Sequence, residues 1–264
     1  MANGSRRAFV QASSDLRLRS KARSLLNSTA LIPAVTAFAT AGAILLPSAA
    51  KAQSNETVQG GATLTVRGDN TGGRPSPLVV DRLLVGTSVG PGTVIIEAGG
   101  QVEVIGRGVI AFDQGSSGAV TVDGAGSSLA VTGRFLEVGF GGAGNLAIRN
   151  GGTVSVGDLV AIGANGTAAG TVSVSGAGSN LSAQTFFLGE LGTGQLTVAD
   201  GGLLSATRII QIASLVGSVG TLNIGAAEGS PAAAPGTIAA PRIEFGQGNG
   251  RIVFNHTASD YVFT

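Results

Sequence analysis

The sequence predicts an all-β fold: a right-handed parallel β-helix (solenoid) of about eight short rungs, preceded by a signal peptide. Three observations carry this expectation. A Gly-x-apolar-x-apolar motif starts at Gly92, Gly118, Gly144, Gly170, Gly194 and Gly220, with outlying copies at Ala62 and Gly250, in steps of 24–30 residues. Within each copy the apolar period is two, the signature of a strand and not of a helix. Glycine supplies 44 of the 264 residues while cysteine and tryptophan are absent, so tight corners, and not disulfides or large rings, shape the chain.

The first element is the leader. Arg6, Arg7, Arg17, Arg19, Lys21 and Arg23 form a basic region, Leu31 to Leu46 is apolar, and Ala50-Lys51-Ala52 is a small-x-small cleavage pattern followed by Gln53. Residues 1–52 read as a secretory signal peptide cut between Ala52 and Gln53. The apolar stretch is shorter than the ~20 residues a membrane span needs, and it contains Pro33. Ser5-Arg6-Arg7-Ala8-Phe9 raises a twin-arginine route beside general export. Cleavage would remove seven basic residues and one acid, leaving 9 basic against 14 acidic groups, all the basic ones arginine. That balance gives no electrostatic support for a nucleic-acid partner, and none is expected.

Residues 53–264 hold the repeat. Each unit opens with a short strand such as Gly144-Asn-Leu-Ala-Ile148, rich in residues that suit a pleated surface. A turn follows and alternates in type. Ala98-Gly99-Gly100, Asn150-Gly151-Gly152 and Asp200-Gly201-Gly202 alternate with Gly124-Ala-Gly-Ser127 and Gly176-Ala-Gly-Ser179, a pair repeat of about 52 residues. A second strand comes next, as at Val102-Glu-Val104, Leu129-Ala-Val131 and Val154-Ser-Val156. A third ends in apolar-Gly, as at Val85-Gly86, Val138-Gly139, Ile162-Gly163, Leu188-Gly189 and Phe245-Gly246. No unit can bury its apolar face alone, but stacked units can. Coiling three strands per turn sets equivalent residues about 4.8 Å apart in parallel ladders. Val94, Val120, Leu146, Val172, Leu196 and Leu222 then form one inward stack, and Ile96, Val122, Ile148, Val174, Val198 and Ile224 the next. A β-propeller is the alternative, but its blades need ~40–50 residues and four strands.

The alternating turns, the Gly-x-Leu-Thr-Val strands and the apolar-Gly strands resemble the repeats of type V autotransporter passengers and of PEP-CTERM-associated surface proteins. The stretches 220–237 and 245–257 resemble autotransporter passengers more specifically. The resemblance covers roughly residues 58–264. It implies an exported bacterial surface protein at the outer membrane or beyond it: a passenger segment that acts as a structural stalk and adhesion scaffold. It also implies partners: the general secretory machinery, an outer-membrane translocator barrel, and a host or neighbouring cell surface. No barrel strands follow in this sequence, so the expectation is a passenger truncated before its translocator. A polysaccharide-acting enzyme on the same scaffold, or a surface-matrix protein of another type, are the alternatives.

Individual candidates are few. Arg67-Gly68-Asp69 is an adhesion tripeptide beside turn residues, and equally a plain solvated turn. Glu97, Asp123, Arg149 and Ser175 occupy one position after the first strand and stack as a ladder. Carboxylates about 5 Å apart there would suit acid–base work on a glycan, whereas an arginine among them suits charge relief. His256 reads as a strand-end residue without a triad. Asn55, Asn165 and Asn255 head Asn-x-Thr sequences. No catalytic, cofactor-binding or metal-ligating set emerges, and the expectation is a non-enzyme without cofactor. The ends of the coil are expected to differ: residues 53–61 and the irregular first unit can cap one end, while Ile252-Val-Phe254 and Tyr261-Val-Phe263 leave the other apolar and prone to self-association.

Overall fold

A computed structural model describes residues 55–262. The leader and the Ala52/Gln53 cleavage point lie outside the described residues. Nineteen strands occur among those described. The first ten are β1 (Glu56–Val58), β2 (Ala62–Arg67), β3 (Leu78–Val85), β4 (Gly92–Glu97), β5 (Gln101–Ile110), β6 (Ser117–Asp123), β7 (Ser128–Val131), β8 (Phe135–Val138), β9 (Ala143–Arg149) and β10 (Thr153–Val156). The rest are β11 (Leu159–Ile162), β12 (Ala169–Ser175), β13 (Asn180–Leu188), β14 (Thr193–Ala199), β15 (Leu203–Ile212), β16 (Val219–Gly225), β17 (Thr237–Ala239), β18 (Ile243–Phe245) and β19 (Asn249–Asn255).

These strands wind into a parallel β-solenoid of about eight turns. The repeat's first strands, β2, β4, β6, β9, β12, β14, β16 and β19, form one eight-stranded sheet in sequence order. The second and third strands form an eleven-stranded sheet. At about 4.8 Å per rung the coil is a rod about 38 Å long. One detail departs from three separate strands per unit. β3, β5, β13 and β15 each run continuously through the second and third positions, and the ladder shifts register between Val80 and Arg82 and between Ala183 and Thr185. A bulge bends a strand without ending it, so the corner there needs no loop.

The two expected stacks are present. Leu64, Val94, Val120, Leu146, Val172, Leu196, Leu222 and Ile252 lie in one register column. The six inner members from Val94 to Leu222 are at most 1 % exposed. Val66, Ile96, Val122, Ile148, Val174, Val198 and Ile224 form the neighbouring column and are fully buried. Phe186 is the one ring in this core among the described residues.

The motif glycines make the coil tight enough to close. A Cβ on Gly144 would sit 2.1 Å from the Gly139 nitrogen, so any side chain there would push the preceding corner off the strand. Gly139 itself has φ +71°, and a Cβ on it would meet the Ala169 carbonyl oxygen at 2.3 Å. In two rungs the matching corner is Ala111 (φ 60°) or Ala213 (φ 56°), where a side chain is held in the left-handed region at a cost of roughly 1 kcal/mol.

The alternation of turns is a mutual fit. In the Gly-Gly turns, Ala98, Asn150 and Asp200 have φ of 51–54° and are followed by a positive-φ glycine, the signs of a type I′ turn. Gly100 N–H closes the first of them on Glu97 C=O at 2.9 Å. In the next rung Ser127 donates its hydroxyl to Asp123 C=O (2.7 Å) and accepts from Gly99 N–H (3.1 Å). Ser179 does the same with Ser175 C=O (2.7 Å) and Gly151 N–H (3.0 Å). Both serines are buried. Each Gly-Ala-Gly-Ser turn thus satisfies a donor of the Gly-Gly turn before it.

The two end rungs differ. Residues 68–77 fold back beside β2, where Arg74 N–H donates to Thr65 C=O at 2.9 Å and the Arg74 side chain pairs with Glu56 at 2.6 Å. Closure on that side therefore comes from the irregular first unit. In the last rung Phe245 and Phe254 are 56 % and 55 % exposed.

Candidate functional site

The predicted ladder forms in two paired segments, Arg67–Glu97 and Asp123–Arg149–Ser175, and it begins one rung earlier than the sequence indicates. Arg67 is its first member, in register with Glu97, and Asp123 and Ser175 flank Arg149. The charges pair along it. Arg67 pairs with Glu97, and Arg149 Nε lies 2.9 Å from Asp123 Oδ2. Asn150 Nδ2 donates to the other Asp123 oxygen at 2.8 Å. That bond, with the Arg149 guanidinium, holds Asp123 below the usual carboxylate range. An ionised carboxylate saturated by donors is a poor general acid, so the ladder is built for charge relief between rungs.

The tripeptide is closed on itself. Arg67 Nε and Nη2 donate to the two Asp69 oxygens at 3.1 and 3.0 Å. Thr71 N–H adds a third bond to Asp69 at 3.0 Å. The Arg67 bonds first, and then this backbone donor, drive the Asp69 carboxyl far below its ordinary range. Arg67 is the last residue of β2 and only the Asp69 end is a turn, so the guanidinium and carboxylate face each other.

The other candidates take structural positions. His256 follows β19, half-buried, with its ring 5.0 Å from that of Tyr261. Asn165 Nδ2 donates to Phe140 C=O at 2.6 Å, and Asn255 Nδ2 to Ala227 and Ser230 C=O at 2.9 and 2.8 Å. Asn55 is exposed.

The feature that sequence reasoning missed is the outer face of the third-strand tier. Register places two outward columns there. One runs Arg107, Phe135, Leu159, Thr185, Ile209, and the other Val109, Glu137, Ala161, Phe187, Gln211. Phe135, Leu159, Phe187 and Ile209 are half-exposed. The outer face of the first-strand sheet carries Ala119, Asn145, Thr171 and Gln195 in its corresponding column. Val109 points outward yet is fully buried, and beside this tier Phe112 stacks on Phe140 with centroids 5.6 Å apart. The Arg107 guanidinium lies 4.6 Å from the Phe140 centroid and pairs with Glu137.

Two recesses open on this face. One of about 290 Å³ is lined by Phe135, Leu159, Ile209 and Phe187 with Arg134, Asp158 and Arg208. One of about 370 Å³ is lined by Phe135, Leu159 and Ala161 with Arg107, Glu137 and Glu190. They share Phe135 and Leu159 and so adjoin; together they are the groove of this face. Burial, followed by the charge of Glu137, raises the Glu190 carboxyl above its usual value. The signal was present as contiguous apolar pairs, Phe135-Leu136, Phe186-Phe187 and Ile209-Ile210, which break the period-two rule and recur in this tier from rung to rung.

No protein-family profile, no curated protein and no solved structure matches the chain.

Proposed function

We propose that this chain is the rod-forming part of an exported bacterial surface protein, a passenger segment of autotransporter type that serves as a stalk and adhesion scaffold. The observation that supports it best is the unbroken eight-strand, in-register parallel sheet, because a coil with one continuous core holds its faces at fixed heights along a stiff axis. The basic-apolar-Ala-x-Ala leader supports export, with the secretory machinery as first partner. The repeat resemblance supports an outer-membrane barrel as the second. The pairing of Glu97 and Asp123 with Arg67 and Arg149 favours a structural ladder over a polysaccharide-cleaving one.

Expression of the chain fused ahead of a translocator barrel in a Gram-negative host tests this reading. Protease added to intact cells should then remove residues 53–264, and N-terminal sequencing of the exported material should start at Gln53. Protein that stays inside the cell with Lys21 still attached overturns it.

A further inference from the structure

We propose that the groove over the third-strand tier binds an extended, uncharged glycan laid along the rod. This deepens the scaffold reading by naming the contact face and its partner, and it rests on that reading only for where the encounter happens.

The groove has the length and straightness of a polymer site. From Arg107 to Ile209 it crosses five rungs in one register column, about 19 Å at the ladder spacing. Its floor sets the partly exposed Phe135, Leu159, Phe187 and Ile209 side by side, and contiguous apolar positions on an outer face mark a contact surface. The Arg134 guanidinium lies 5.0 Å from the Phe135 ring centroid, a cation–π contact at the groove's edge.

The edges decide the partner. Arg134 and Asp158 directly precede β8 and β11, and Arg208 within β15 directly precedes the column residue Ile209, so these three form one edge; Glu190 follows β13 on the other, with Arg107 and Glu137 between. Three guanidiniums stand against three carboxylates, so the groove carries no net charge and offers no steering to an anionic or cationic polymer. A dry protein partner would have to strip water from the unpaired Glu190 and Arg208 and from the exposed Arg134 of the Arg134–Asp158 pair, a penalty that pairing only partly repays. A pyranose chain fits both demands. Its C–H faces pack on the rings and aliphatic floor, and its peripheral hydroxyls both donate and accept, so they replace water at carboxylates and guanidiniums alike. Glu190 and Arg208 make no ion pair among the described residues, which leaves an acceptor and a donor free on opposite edges. Thr185 and Gln211 add neutral hydrogen-bonding groups to the outward columns.

Gel electrophoresis of the 264-residue chain, through gels containing konjac glucomannan, hydroxyethylcellulose or polygalacturonate, tests the proposal. At least one neutral polymer should retard it. Phe135→Ser with Ile209→Ser should weaken that retardation roughly tenfold or more, about 1.4 kcal/mol. Thr121→Ala, on the outer face of the first-strand sheet, should leave it unchanged. Leu159→Thr, which keeps a branched side chain on the strand, repeats the test should the double variant lose its circular-dichroism signal. Retardation in polygalacturonate alone, none in any gel, or equal retardation of the groove variants each overturns the proposal. So does a concentration-dependent dimer in sedimentation that Phe135→Ser abolishes, since the face would then belong to a second copy. The protease test on intact cells should read the same for wild type and Phe135→Ser, which separates failure of the glycan site from failure of the scaffold reading.

Discussion

The first-strand sheet and the third-strand tier belong to the same coil and obey the same inner rule, yet their outer faces have opposite character. Inside, both carry columns of Val, Leu and Ile. Outside, the first sheet shows Asn145, Thr171 and Gln195, and the third tier shows Phe135, Leu159 and Ile209. The fold needs only the inner columns, because stacking buries them whatever lies outside. The outer residues are therefore free of the folding constraint, and a costly choice there points to contact with something else. The carboxylates repeat the contrast: hydrogen bonds and an arginine push Asp123 down on the first sheet's edge, while burial pushes Glu190 up beside the groove.

Inner-column substitutions should have the largest effect. Leu146→Asp places an unpaired charge in the core and should cost several kcal/mol, read as loss of the thermal transition. Asn145→Asp, one residue away and pointing outward, should shift stability by no more than ~0.5 kcal/mol. Comparable losses from the two would break the inside–outside distinction.

Corner substitutions should follow. Gly139→Ala forces a Cβ against the Ala169 carbonyl oxygen at a positive φ and should destabilise by ~1–3 kcal/mol in denaturant titration. Ala213→Gly should stabilise or be neutral, since it relieves a left-handed alanine. Ser179→Ala removes an acceptor from Gly151 N–H and should cost ~1–2 kcal/mol. Ser173→Ala, half-exposed on the same strand system, should cost less.

The smallest effects concern charge, and here the two regions should move in opposite directions. Asp123 has its folded pKa depressed, so its ion pair contributes stability above the ordinary aspartate range, which is lost as pH falls through the folded value. Arg149→Ala should flatten that acid limb by less than ~1 kcal/mol, as exposed pairs do. Glu190 has its folded pKa raised, so the native state holds a proton that the unfolded chain releases. Stability then falls as pH rises from the ordinary glutamate range to the raised value. Glu190→Gln should remove that decline. Urea midpoints measured from pH 3 to pH 8 distinguish the two slopes, and slopes of the same sign would contradict the assignment.

Much of this was legible in the amino-acid order, for physical reasons. Period-two apolar residues at constant spacing leave no other burial than stacking, so Val94 to Leu222 could be placed in one column in advance. The alternation of Gly-Gly and Gly-Ala-Gly-Ser turns was visible, but its cause was not, because the Ser127 bond to Gly99 joins residues 28 apart. Arg67 was read with a turn and not with a ladder, since its pairing with Glu97 depends on a register between rungs. The groove escaped because a contiguous pair such as Phe135-Leu136 does not say which member faces inward; that was settled by Leu136 falling in the column of Val160 and Phe186.

The serine bond between successive turns has a consequence for how such a chain can change length. A rung with a Gly-Gly turn and the rung after it with Gly-Ala-Gly-Ser act as a two-course brick. Removing or copying one course sets like turns against each other, leaving a serine without its amide or an amide without its serine. Removing or copying the brick, about 52 residues, keeps every turn beside its complement. The rod can therefore be lengthened or shortened in steps of about 10 Å along its axis, and not in steps half as large.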